Sequence, residues 1–289
     1  MSIENAADTL PPVPAAGGRA KPNRRLRSLA SRLAFRHKVW MVWAAMLAIL
    51  VLGFIGLGLD LSLIRQKLPF LLGLRLAPDG FLQGAALTLF VTAISMVLAM
   101  AVAVMTALGR LSANPLAFAV ATFYASLFRG TPLLVQVLII YLALPQFGIV
   151  LSALVSGVLA LALNYGAYLA ETIRSGIAAV PRGQTEAAMA LGLRGWVIAL
   201  KIVAPQAMRV IIPPAGTQFV SMLKDSSLVS LMGLWELNFL AQSYGRSTFH
   251  YMEMLMSAAA IYWLLSILFE LVQYRLELKF GRSTALARH

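Results

Sequence analysis

Long apolar stretches, separated by short segments rich in charge, Pro or Gly, set the pattern of this chain. The first stretch runs from Val39 to Leu59, and a transmembrane helix takes about 20 apolar residues. Five further stretches, mostly uncharged, lie at 80–109, 116–144, 149–170, 210–232 and 253–273. The pattern therefore predicts an all-α membrane protein with six transmembrane helices.

Two of these stretches depart from a plain lipid-facing helix. In the third predicted helix, Pro132 disfavours helical geometry at Thr131, so this span is expected to break or kink beside Arg129. In the fifth, Lys224 and Asp225 place opposite charges inside an apolar run. Charges within a membrane are costly and usually face a cavity or each other, so both places are candidates for polar chemistry.

Composition places the chain in the membrane class and limits its chemistry. It is 60% hydrophobic and 12% charged, with a mean hydropathy of +0.80, whereas a soluble domain carries about 25% charged residues. Cysteine is absent and the three His residues are scattered, so the sequence predicts neither disulfides nor a metal site. The net charge of +13 does not indicate nucleic-acid binding, because the basic residues flank apolar spans.

The distribution of basic residues predicts the orientation in the membrane. Most of them lie in the segments 1–38, 174–209 and 275–289, and few lie in segments that would face the opposite side. Cytoplasmic segments carry an excess of Lys and Arg, so both termini and the loop 174–209 are expected in the cytoplasm. Residues 1–38 are expected to form a basic disordered arm before the helix 39–59. Either a topology signal or attraction to anionic lipid would account for its charge.

The predicted cytoplasmic loop contains a segment, Val180–Ala207, with more structure than a connection needs. It predicts a short helix from Gln184 to Leu191, a turn at Gly192 and a second helical run into Pro205. An acidic residue near a helix N-terminus, followed by small residues, suits close docking on a protein partner, whereas a membrane-surface helix would need a larger apolar face. The candidate docking residues are Glu186, Ala187, Ala188, Gly192, Arg194 and Pro205.

The spacing of this set, completed by Ile202, closely resembles the cytoplasmic motif of permease subunits in ATP-driven (ABC) importers. The polar amino-acid branch of that family (histidine, glutamine, glutamate, arginine and opine type) is similar in further segments. These are R-G-T-P-L-L-V-Q (129–136), N-Y-G-A-Y-L-A-E-T-I-R-S-G-I (164–177), P-R-G-Q-T-E-A-A (181–188) and P-P-A-G-T-Q-F-V-S-M-L-K-D-S-S-L (213–228). The resemblance covers roughly residues 80–280. It implies a five-helix type I permease core, which leaves the helix 39–59 as an additional N-terminal transmembrane helix.

The resemblance also implies partners and a division of labour. It implies a multi-pass subunit of the bacterial inner membrane that binds no cofactor itself and leaves ATP and Mg²⁺ to a cytoplasmic ABC ATPase subunit. A second permease, either another copy or a homologous chain, and an extracytoplasmic amino-acid-binding protein would complete the importer. Consistent with this, no G-x-x-x-x-G-K-[ST] phosphate loop occurs in the sequence. Membrane lipid is an expected partner and nucleic acid is not.

Polar residues within the predicted spans are the candidates for a substrate path. Three of them recur at i, i+4 and i+7 and therefore share one face of an otherwise apolar helix. The others flank the expected break or form the charged pair of the fifth span, where they could meet the carboxylate and ammonium of an amino acid. The candidate path residues are Asn164, Tyr168, Glu171, Arg129, Lys224 and Asp225.

Simpler roles are open for some of these residues, and other functions for the chain. Glu171 could form a surface ion pair with Arg174, three residues further on, and Arg129 could bind a backbone carbonyl at a kink. Lys224 and Asp225 could face the headgroups at a helix end. An ion-coupled secondary amino-acid carrier would need acidic residues deep in several spans, and a non-transporting scaffold would need no polar face.

Overall fold

The computed structural model describes residues 24–56, 58–78 and 80–285, and this part is built from helices joined by short turns. Two compact units are distinguished, Met1–Leu59 and Asp60–His289. In chain order the α-helices are α1 (Arg24–Gly56), α2 (Leu61–Leu71), α3 (Gly84–Leu111), α4 (Pro115–Gly130), α5 (Leu133–Leu138), α6 (Ala153–Ala178), α7 (Arg182–Ala190), α8 (Gly195–Val197), α9 (Ala204–Asp225), α10 (Leu237–Thr248) and α11 (Tyr251–Ala285).

In the first unit, α1 begins at Arg24 and not at Val39, where the hydropathy pattern places the start of the first span. Part of the segment expected to be disordered is therefore helical, because it is rich in Arg, Leu and Ala, which favour helices, and no Pro interrupts it. Residues 1–23 of the expected arm lie outside the described residues. The apolar part, His37–Gly53, exposes large side chains such as Trp40, as a lipid-facing helix does.

In the second unit, four helical stretches of the described residues are long and apolar enough to cross a membrane. They are Gly84–Leu111, Ala153–Ala178, Gly195–Met232 and Tyr251–Lys279. A fifth crossing arises if Pro115–Gly130 and Leu133–Phe147 form one span, which is bent by 105°. The all-α membrane fold is thus confirmed. The expected break beside Arg129 is confirmed as well, since α4 ends at Gly130 and α5 begins at Leu133.

One predicted boundary is wrong, because Pro205 does not end a helical run. The stretch Gly195–Met232 is continuous, and it joins the second helix of the loop to the span predicted at 210–232. A Pro inside a regular α-helix crowds the carbonyl four residues earlier and removes a hydrogen bond. Here a π-helical turn, Ile198–Val203, comes directly before α9, and its wider winding accommodates the ring of Pro205.

Small residues bring α3 and α6 together at the centre of the second unit. Ala99, Ala103 and Ala107 of α3 are fully buried, as are Ala160 and Ala167 of α6. Small side chains let helix backbones approach closely, and such packing drives association where lipid removes the hydrophobic effect between helices. The alanine-rich composition of these two spans therefore determines which faces meet.

Gly176 shows how closely α6 also approaches α9. A Cβ at this position would lie 2.4 Å from Cγ1 of Ile211 and 3.3 Å from the carbonyl oxygen of Ala207. The first distance is shorter than any normal carbon–carbon contact, so a larger residue fits only if the Ile211 side chain or α9 shifts. This contact limits the distance between α6 and α9, two helices that line the same cavity.

Two ends of the bundle can be distinguished by their contacts. Near one end, Arg110 in the last turn of α3 contacts Glu171 of α6, and the loop 182–203 follows α6 on the same side. At the other end a bridge joins Gly84, where α3 starts, to Glu236, just before α10. We refer to these as the loop end and the opposite end.

The helices α2 and α10, which hydropathy did not predict, each start at an acidic N-cap. The carboxylate of Asp60 accepts hydrogen bonds from the backbone N–H groups of Ser62 (2.9 Å) and Leu63 (3.1 Å). Such a cap satisfies donors that a helix start otherwise leaves unpaired, so it stabilises short helices whose apolar signal is weak. The capping pattern was therefore the sequence signal for α2.

The second acidic cap, Glu236, is fully buried between the spans at the opposite end. Its carboxylate accepts hydrogen bonds from the backbone N–H groups of Asn238 (2.9 Å) and Phe239 (2.7 Å) and from the hydroxyl of Tyr262 (2.8 Å). Burial raises the pKa of Glu236 to about 7, although these donors act in the other direction. The residue joins α10 to α11 and, through Thr88, to α3.

Candidate substrate pathway and coupling loop

A cavity of 440 Å³ lies where the α4–α5 break faces α6 and α9. We call it the central cavity. Four of the six path residues predicted from the sequence line it, namely Arg129, Asn164, Tyr168 and Asp225. Three further polar residues complete its wall, namely Thr131, Tyr165 and Gln218. The volume is adequate for a small polar solute, since ligand pockets start at about 300 Å³.

Two buried amides hold the break between α4 and α5 open. The side-chain nitrogen of Gln136 donates to the carbonyl oxygens of Phe128 (2.9 Å) and Thr131 (3.1 Å). The amide of Asn164 donates to the same Phe128 carbonyl and to the side-chain oxygen of Gln136, both at 3.1 Å. Inside a membrane a broken helix must have its freed backbone groups satisfied, and these amides do so. Asn164 therefore shapes the central cavity as well as lining it.

Opposite charges lie on the wall of the central cavity. Asp225 accepts a hydrogen bond from the hydroxyl of Tyr165 at 2.7 Å, which orients its carboxylate. The guanidinium of Arg129 lies over the ring of Tyr168, 5.5 Å from its centre. A guanidinium and a carboxylate are the groups that bind a carboxylate and an ammonium, respectively, through charge-assisted hydrogen bonds. The geometry can therefore accommodate a zwitterion.

Glu171 does not line this cavity, although it follows Asn164 and Tyr168 on the same face of α6. Its carboxylate contacts the guanidinium groups of Arg110 and Arg174 and lies 3.6 Å from that of Arg129. The pair with Arg174 anticipated from the sequence is present, but the cluster also ties α3 and α4 to α6. Glu171 thus sits beside the cavity, at its loop-end side.

Lys224 lies on a different face of α9 from its neighbour Asp225, because consecutive helical residues point about 100° apart. It lines two other cavities, of 320 and 570 Å³, which it shares with Glu270 of α11. Its side chain is exposed, and within the described residues it forms no hydrogen bond or ion pair. The structure therefore separates the two charges that the sequence places side by side.

The loop between α6 and α9 has the predicted helix–turn–helix form. The helix α7 ends before Gly192, whose φ of +72° is the left-handed conformation that reverses the chain after a helix. Glu186 is exposed, whereas Ala188 is buried at 3% exposure. Met189 and Leu191 are 55% and 80% exposed, so α7 offers an acidic and apolar surface.

Sequence reasoning missed four residues of this region, and among them Thr131 was named only as the position of the break. Gln218 lies seven residues before Asp225, so helical periodicity places both on one face of α9 and could have found it. Tyr165 directly follows the predicted Asn164, but its bond to Asp225 joins residues 60 positions apart. Gln136 caps the break from only five residues after Thr131, within the segment 129–136, so a local pattern could have found it.

Known transport permeases resemble this chain over most of its length. The family of binding-protein-dependent transport system inner membrane components matches residues 99–282, and the chain belongs to this family. The L-cystine transport system permease protein TcyB of Bacillus subtilis is 40% identical over 204 residues, which are 70% of this chain and 87% of TcyB. The arginine transport system permease protein ArtQ of the same organism is 33% identical over 224 residues, 77% of this chain and 98% of ArtQ.

Solved structures of ABC transporters also resemble this chain. A crystal structure of an amino acid ABC transporter with histidines superposes with a TM-score of 0.68 at 36% identity, covering 76% of this chain and 97% of that one. An inward-facing structure of the MetNI methionine ABC transporter, at 18% identity and a TM-score of 0.56, shares the fold.

The chain is accordingly the permease component of an ABC amino-acid importer, a non-catalytic, multi-pass subunit of the inner membrane. The function predicted from the sequence is confirmed, and the carrier and scaffold alternatives are set aside. Binding-protein-dependent importers of this class work with a partner ATPase, which handles ATP, and with a binding protein.

Proposed function

We propose that this permease conducts a polar amino acid through the central cavity, which binds the α-carboxylate at Arg129 and the α-ammonium at Asp225. The observation that carries the proposal is the presence of both charges on the wall of one 440 Å³ cavity. Relatives are named for L-cystine, glutamine and arginine, which share these two groups and differ in their side chains. The carboxylate and ammonium that these amino acids share therefore match Arg129 and Asp225. The side chain of the bound amino acid would face Thr131 and Gln218.

The loop 182–203 is the proposed contact with the ATPase, and α7 its coupling helix. Glu186 and the neighbouring Met189 and Leu191 project from the loop, while Ala188 anchors it from inside. Closure of the ATPase would move α7, and the continuous stretch Gly195–Met232 would carry that motion to Asp225. In this role Mg²⁺ and ATP bind the ATPase and no cofactor binds this chain.

The proposed orientation places both termini and the loop end in the cytoplasm, in agreement with the excess of basic residues there. The opposite end, with α2 and α10, would then receive the extracytoplasmic amino-acid-binding protein. Lipid would surround α1, whose role in the importer is open, and no nucleic acid is involved.

A second permease, a copy or a homologous chain, is the proposed partner within the membrane. Lys224 and Glu270 are both exposed on neighbouring faces of α9 and α11. Charges of this kind do not suit lipid, so the surface of a second permease is the environment that fits them.

The test is ATP hydrolysis by the chain reconstituted with its ATPase and binding protein in proteoliposomes. A panel of L-cystine, L-glutamine, L-arginine, L-histidine and L-glutamate is compared with the α-carboxamide of each. We expect at least one amino acid to stimulate hydrolysis and its carboxamide to stimulate it far less. Equal stimulation by both forms would contradict the proposed binding of the carboxylate at Arg129.

A further inference from the structure

A second cavity, of 430 Å³, lies beside the central cavity and has no place in the path described so far. We call it the arginine cavity. Arg129, Gly130 and Tyr168 line both cavities, so a single wall separates them. The other lining residues include Arg110 from the last turn of α3, which places this cavity toward the loop end.

The charges around the arginine cavity favour an anion. Among the described residues its lining includes Arg110 and Arg129 but no acidic side chain. Glu171 lies next to it and contacts both of these arginines as well as Arg174. One carboxylate for three guanidinium groups leaves the cluster net positive. The central cavity differs, because Asp225 balances Arg129 there.

Hydrogen-bond donors in the arginine cavity also lack acceptors. The Nε of Arg110 and the hydroxyl of Thr122 are buried and have no hydrogen-bond partner among the described residues. Buried polar atoms are nearly always paired, and these two belong to side chains of the cavity lining, so a ligand that accepts hydrogen bonds from this wall would satisfy them. The hydroxyl-bearing Ser126 lines the same wall of α4. A carboxylate, with two acceptor oxygens and a negative charge, matches this set of donors.

We propose that the arginine cavity is a second subsite of the pathway, which takes the α-carboxylate of the amino acid after the central cavity releases it. The inference rests on the proposed function, because it assumes that the amino acid first occupies the central cavity. Arg129 belongs to both cavities and therefore contacts the carboxylate on either side of Tyr168. Because no acidic side chain lines the arginine cavity, the ammonium of the amino acid is bound only in the central cavity.

Arginine footprinting tests the subsite on the whole complex. The permease and its ATPase are placed without ATP in nanodiscs of phosphatidylcholine and treated with phenylglyoxal, and mass spectrometry measures modification of each arginine. The probes are the amino acid that most stimulates ATP hydrolysis and its α-carboxamide. We expect the amino acid to slow modification of Arg129 and Arg110, and the carboxamide to slow neither. The exposed Arg182 is the internal reference.

Three variants separate a ligand site from a structural ion-pair cluster. Thr122→Val removes one donor and should raise the half-protecting concentration for Arg110 about three- to tenfold. Thr172→Val is the matched control, because that hydroxyl already donates to the Tyr168 carbonyl at 3.3 Å, and protection should stay unchanged. Glu171→Gln removes the competing carboxylate and should lower the half-protecting concentration. A purely structural cluster predicts weaker protection in Glu171→Gln, which would overturn the subsite.

The remaining outcomes are also decisive. Protection of Arg129 without protection of Arg110 would refute the second subsite and leave the proposed function standing, whereas protection of neither would refute both. A further sample contains phosphatidylglycerol and no amino acid. Protection of Arg110 in that sample would assign the cavity to a lipid headgroup and overturn the proposal.

Discussion

Replacement of Asp225 by Asn changes the charge of the central cavity with little change of shape. The amide keeps an oxygen that can accept the hydrogen bond from the Tyr165 hydroxyl, which is 2.7 Å long in the native chain. What is lost is the negative charge that the proposal assigns to the substrate ammonium. Because the side chain is half-buried at the cavity wall, water screens the lost interaction only in part.

The size of the effect follows from the type of contact. A hydrogen bond to a charged group contributes about 1.5–3 kcal/mol. At roughly 1.4 kcal/mol per factor of ten, loss of this contact corresponds to about a ten- to hundredfold reduction. We expect the uptake of the preferred amino acid to fall by this factor in Asp225→Asn, while ATP hydrolysis without substrate stays near the native rate.

The assay is the initial rate of uptake of the radiolabelled amino acid into proteoliposomes, at a fixed concentration of loaded binding protein. Glu270→Gln is the matched control, because it makes the same carboxylate-to-amide change in a span that does not border the central cavity. The uptake rate of this control should remain within about threefold of the native rate. That change is smaller than the one expected from loss of a hydrogen bond to a charged group. If Asp225→Asn transports as well as Glu270→Gln, the ammonium is not bound at Asp225 and the reasoning is wrong.

Three further predictions concern coupling, orientation and pH. Glu186→Lys should leave the chain in the membrane but abolish coupled transport, because it reverses the exposed charge of α7. The control Glu186→Gln should retain part of the transport activity. Native uptake in the lysine variant would contradict the docking role of Glu186. In intact cells an impermeant thiol reagent should label Leu74→Cys and not Ala190→Cys, and labelling of the latter from outside would reverse the orientation. Burial raises the pKa of Glu236 to about 7 from an ordinary 4.5, so the folded state binds this proton more tightly than the unfolded state. The stability it contributes is full below about pH 4.5 and declines by roughly 3 kcal/mol as the pH rises to about 7. Thermal melting of Glu236→Gln should lack this decline, and an unchanged pH dependence would show that another group causes it.

The sequence alone determined the class of the protein, because the patterns that indicate this class are local. Apolar stretches of span length, the break at Pro132 and the spacing from Glu186 to Pro205 are patterns within short segments. The polar residues of α6 and α9 could also be selected without a structure, since charge and amide groups are rare in lipid and therefore conspicuous. Helices whose start depends on a side-chain cap, such as α2 after Asp60, left only a weak local signal.

The arrangement of the site depended on tertiary structure, because it is made by residues far apart in the chain. Lys224 and Asp225 are adjacent in sequence, yet the winding of α9 turns one toward Glu270 and the other toward Tyr165. Glu171 continues the polar face of Asn164, but Arg110 of α3 holds it outside the central cavity. Helical periodicity determines which residues share a face. The packing of α3, α4, α6 and α9 decides what each face meets, and so which charges can act on one substrate.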